Sequence, residues 1–103
     1  MGSKKRSRAK LASVRRRIDG LDLQLLRLIN RRARFALEIG RIKKRKKWPV
    51  FDARREAFVL RHVTSASRGP LSAGAVRHIF RAILSGCRRR ERSGRKKSVV
   101  SSP

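Results

Sequence analysis

At 103 residues the chain has room for one small domain, and 31 Lys and Arg against 6 Asp and Glu give it a formal charge of +25. That excess points to anionic partners: nucleic acid, an anionic membrane or a small polyanionic metabolite. A single cysteine, Cys87, excludes an intramolecular disulfide and a cysteine-based metal cluster, and no apolar run reaches the length of a membrane span or of a secretory signal, so a cytoplasmic protein is expected.

Residues 1–9 (MGSKKRSRA) are basic and patternless and are expected to form a disordered arm. A regular pattern begins at Leu11. Leu11, Val14, Ile18, Leu21, Leu25, Leu28, Arg32, Phe35, Ile39 and Ile42 follow one another in steps of three and four, the spacing of a helix with one narrow face against other helices. Arg32 is the one charged residue on this seam. An unpaired buried charge is costly, so a guanidinium there implies an anion that meets it.

Nothing from Lys10 to Lys47 breaks a helix, and the first proline, Pro49, forces Trp48 out of the helical region. Such a helix is roughly 55 Å long at about 1.5 Å per residue, whereas a compact domain of about 100 residues has a radius of gyration of about 13 Å. The rest of the chain cannot cover that rod. A second copy is the simplest cover, which predicts a homodimer.

The turn KKRKKWPVF, Lys43–Phe51, places cations where a helix C-terminus favours them. Asp52 is a good N-cap for a second helix from Ala53 to about Thr64, with Val59, Leu60 and Val63 facing inward. SASRGP reads as a loop, and Ser72 caps a third helix whose buried stripe is Val76, Ile79, Phe80, Ile83, Leu84 and Cys87. Glu91 lies one turn beyond Cys87 on the same face. Residues 93–103 form a polar tail expected to be disordered, and no alternating β-branched run suggests a strand. The chain therefore reads as all-α, a three-helix domain over residues 10–92 with a very long first helix, intertwined as a homodimer.

The candidate site starts at Arg32. Lys43 lies about three turns further on nearly the same side, and two cations on one face suit a small ligand with two anionic groups. Arg15 is roughly 25 Å back along the helix. It reaches the same ligand only if the helix pairs antiparallel with its twin, which makes the sites shared. Asp52, Arg55 and Glu56 cluster at the start of the second helix, Glu91 extends an apolar stripe, and Cys87 reads as a packing residue.

These residues resemble a family. Arg15-x-x-Ile18-Asp19-x-Leu21-Asp22, Asn30-Arg31-Arg32, Ile39-Gly40-x-x-Lys43 and Pro49-Val50-x-Asp52-x-x-Arg55-Glu56 are similar to the all-helical chorismate mutases, and the resemblance continues through Gly69-Pro70-Leu71-Ser72 and Ile79-Phe80 to Cys87 and Glu91. The resemblance implies an intertwined dimer that rearranges chorismate to prephenate without metal or cofactor. It implies that Arg32 and Arg15 of the partner subunit bind the two substrate carboxylates. Lys43 would lie near the ether oxygen and one carboxylate, with Glu91 across from it, donating when protonated. Asp52, Arg55 and Glu56 would surround the ring hydroxyl, and Cys87 would occupy a position where a small polar residue is common.

Three other readings compete, one of them a regulatory or inactive relative that keeps the pocket. An isochorismate pyruvate-lyase uses a similar cationic pocket on the same fold. A basic helical nucleic-acid-binding module would show affinity that collapses with salt and would be indifferent to Arg32→Ala.

Overall fold

The computed structural model describes residues 2–95 as three helices: α1 (Gly2–Lys46), α2 (Ala53–Ala66) and α3 (Ala73–Arg95). Among the described residues there is no strand. The helix α1 begins at Gly2, so residues 2–9 are helical rather than the disordered arm their composition suggests. They lack an apolar stripe, but their Lys, Arg and Ala are good helix formers and no proline interrupts them. At the other end Ser93 to Arg95 still belong to α3. The rest of the expected C-terminal tail, residues 96–103, lies outside the described residues.

The contacts divide the chain into two units, one up to Arg31 and one from Arg32 onward. The described residues of the first are the N-terminal part of α1 alone. Its seam residues Leu11, Val14, Ile18, Leu21, Leu25 and Leu28 are 40–61% exposed. The second unit holds the C-terminal part of α1, α2, α3 and all of the core: Ala36, Val50, Val59, Val76, Leu84 and Cys87 are its buried apolar residues. Leu60, Val63, Phe80 and Ile83 are half-buried, as their spacing predicts, but Ile79 is exposed. Phe35, Ile39 and Ile42 also keep about half their surface in solvent.

Within this unit the inward line of α1 runs Arg32, Ala36, Gly40, Lys43, steps of four, four and three. Gly40 is buried where α1 meets α3. A Cβ built on it would stand 2.9 Å from the Cα of Glu91 and closer still to its carbonyl oxygen. Only a residue without a side chain permits that approach.

The end of α1 is closed by a Schellman turn. Trp48 N–H donates to the Lys43 carbonyl at 2.9 Å and Lys47 N–H to the Lys44 carbonyl at 3.2 Å. Lys47 takes the left-handed position, φ 59°, that glycine usually fills. Val50 packs into the core while Trp48 stays largely exposed. Asp52 then caps α2, its Oδ1 accepting from Arg55 N–H at 3.0 Å, and Ser72 Oγ accepts from Ala75 N–H at 3.1 Å at the start of α3.

Candidate active site

One cleft in the second unit, with about 190 Å³ of interior, is lined from all three helices and the α1–α2 loop. That is room for a small molecule rather than a polymer segment. From α1 come Arg32, Phe35, Ala36, Ile39 and Lys43, and from the loop Val50 and Asp52. Arg55 and Glu56 are contributed by α2, and Leu84, Cys87, Arg88 and Glu91 by α3. Seven of the eight residues singled out in the sequence therefore meet at one place. The eighth, Arg15, sits exposed on α1 in the first unit and does not line the cleft.

Most of the charges are already engaged. Lys43 Nζ donates to the Val50 carbonyl at 2.7 Å and lies 3.4 Å from Glu91 Oε2, with both side chains mostly buried. Arg88 holds Glu56 in a fork, Nε–H to Oε2 at 2.9 Å and Nη2–H to Oε1 at 2.7 Å. These hydrogen bonds raise the Arg88 pKa above its ordinary value, with burial opposing and the charges of Glu56 and Glu91 adding to the rise. The guanidinium also rests over the Phe51 ring, 5.0 Å from its centroid. Asp52 is occupied as the α2 cap, and Arg55 leans on Phe58 at 5.3 Å.

Arg32 is different. It is half-buried, lines the cleft, and has no acidic partner among the described residues. A half-buried guanidinium that lines a small cleft without an acidic partner can accept an anion there. Arg88 is the lining residue that sequence reasoning missed. Its signal was available, since it follows Leu84 by four on the α3 stripe, but it was hidden in the run CRRRER among Arg89, Arg90 and Arg92.

Fold and cleft together define an all-helical protein with a small cleft among its helices, lined by Arg32, Lys43, Arg55 and Arg88 and by Asp52, Glu56 and Glu91. The chorismate mutase type II family model matches residues 14–92. The bifunctional chorismate mutase/prephenate dehydratases of Pseudomonas aeruginosa and Stutzerimonas stutzeri are 43% identical over 82 residues and 40% over 83, in each case 75% of this chain. The chain spans 22% of the length of these relatives. The solved structure of chorismate mutase (form II) from Thermus thermophilus superposes with a TM-score of 0.79 at 28% identity, covering 81% of this chain and 94% of that one. This chain belongs to the chorismate mutase type II family. Among the described residues no helix is long and apolar enough to cross a membrane.

Proposed function

We propose that the chain is a chorismate mutase that converts chorismate to prephenate, a step toward phenylalanine and tyrosine, through a domain spanning residues 10–92. The observation that carries this reading is Arg32, an unpaired cation on the packing face of α1 at a cleft of metabolite size. Chorismate supplies what Arg32 lacks, an anionic partner, with one carboxylate on its ring and one on its enolpyruvyl ether.

The reaction is unimolecular: one C–O bond breaks as one C–C bond forms. No nucleophile or proton acceptor is consumed, so the protein acts by selecting the folded conformer and stabilising the negative charge that gathers on the ether oxygen. Arg32 fixes one carboxylate. Lys43 and, in its protonated form, Glu91, already side by side on α1 and α3, bracket the ether oxygen and supply the interaction that strengthens as its bond breaks. Asp52, Arg55 and Glu56 surround the ring hydroxyl, and Cys87 packs beneath.

The second carboxylate belongs to Arg15 of the partner subunit in a homodimer with two shared sites. The support for a second copy is the exposed seam. Six large aliphatic side chains of the first unit, and Phe35, Ile39 and Ile42 of the second, keep 40–61% of their surface in water. Covering the remaining half of one such side chain contributes roughly 1 kcal/mol. Repulsion between two strongly basic chains opposes association, so this apolar burial must hold the dimer. A cytoplasmic setting belongs to the same proposal.

The test is to incubate the protein with chorismate and identify the product. Prephenate formation that disappears in Arg32→Ala is the expected result. Pyruvate and salicylate from isochorismate, with no prephenate from chorismate, would transfer the site to lyase chemistry. Nucleic-acid binding that survives Arg32→Ala, with no turnover of either compound, would remove the enzyme reading.

A further inference from the structure

We propose that Arg88 is a positioning residue that fixes the Glu56 carboxylate as the acceptor for the substrate's ring hydroxyl, and so sets the pocket's demand for that hydroxyl. The inference rests on the mutase reading above and adds a residue to it. The terminal torsion of a glutamate is broad and nearly two-fold, so an unsupported Glu56 would offer its oxygens over a wide arc. Arg88 removes that freedom by taking both oxygens at once, at 2.9 and 2.7 Å, in the planar fork that matches a carboxylate. The fork is itself held, because its guanidinium lies over Phe51, a residue of the loop between α1 and α2. One side chain of α3 therefore ties together the loop, the first turn of α2 and the floor of the cleft.

Two further arguments favour a hydroxyl as what Glu56 receives. An ionised carboxylate has about four lone-pair positions, and the fork uses two, so Glu56 can still accept from a ligand. A bare carboxylate would also repel a dianion. Arg88 sets an equal positive charge against it, so Glu56 can line a cleft for an anion without repelling its occupant.

The test is a comparison across two substrates, chorismate and an analogue whose ring hydroxyl is replaced by hydrogen. Arg88→Gln is expected to raise KM for chorismate about 10-fold or more and to change that for the analogue by less than about 3-fold, since a site built for a hydroxyl loses most on the ligand that carries one. In the Arg88→Gln, Glu56→Gln double variant the loss on chorismate should be no larger than in Glu56→Gln alone, because Arg88 acts through Glu56. Arg88→Lys keeps the charge but not the fork, and should regain only part of the loss. If Arg88→Gln does not fold by circular dichroism, the Lys variant read on both substrates decides the matter. Equal losses on the two substrates, additive losses in the double variant, or unchanged kinetics would each overturn the assignment. No turnover of chorismate by the unaltered protein would overturn the mutase reading and this inference together, whereas turnover with hydroxyl-independent losses removes the inference alone.

Discussion

Replacing Gly40 by alanine tests the packing on which the proposed site stands. The added Cβ would lie 2.9 Å from Glu91 Cα and 3.0 Å from Glu91 C, with the carbonyl oxygen nearer still. Carbon atoms settle at about 3.5–4.0 Å, so the obstacle is helix backbone that must retreat by roughly 0.5–1 Å. Overpacking of this kind costs about 1–3 kcal/mol, and the gain in helix propensity from removing a glycine offsets about 1 kcal/mol of it. With backbone rather than a flexible side chain in the way, the upper part of that range applies, and the net loss should be about 1–2 kcal/mol. Gly86 is the control: it is exposed on α3, and a methyl added there would meet nothing within 4 Å, so Gly86→Ala should gain up to about 1 kcal/mol. Urea midpoints at one fixed protein concentration read both signs. Gly40→Ala should also slow turnover about 10-fold, because pushing α3 outward carries Glu91 away from Lys43. If Gly40→Ala raised the midpoint as Gly86→Ala does, and kept full activity, the close approach of α1 and α3 would be refuted.

Three further outcomes are expected. Arg32→Ala should lower kcat/KM for chorismate by roughly 10²-fold or more, the effect of about 3 kcal/mol lost with one buried charge partner, while the circular dichroism and urea midpoint stay near those of the parent; unchanged kinetics would remove the anion site. Leu28, 61% exposed, contributes nothing to the single chain's core, so Leu28→Glu should leave the helices intact but halve the mass in sedimentation and abolish turnover; a dimer that survives would argue against the seam as interface. Lys47→Gly should raise stability by about 1 kcal/mol by relieving the left-handed backbone at φ 59°, and a lower urea midpoint would contradict that turn geometry.

The parts of the structure that were legible in the sequence are those decided by neighbours along one helix. Asp52 and Ser72 announced their caps because a short acceptor side chain ahead of a periodic run has one good use. Arg32 stood out because a charge interrupted an apolar register. What could not be read depends on how separate helices cross. Gly40 was visible as part of a motif, but the Glu91 backbone lying against it was not. The pairing of Arg88 with Glu56 spans 32 positions, and nothing local marks which of four nearby arginines makes it. The start of α1 is hidden for another reason: residues 2–9 carry no periodicity, and the absence of pattern conceals helix propensity as readily as it marks a coil.

The six positions between α1 and α2, Lys47 to Asp52, have a consequence beyond joining two elements. Because the Lys43 ammonium is moored to the Val50 carbonyl at 2.7 Å, the ruler that aims it is the number of peptide units in that connection. Splicing in one residue after Trp48 would slide the mooring point by about 3.3 Å, the advance of an extended residue, and re-aim the ammonium without substituting any cleft residue. Anyone grafting a tag or exchanging loops in this chain should keep that count intact.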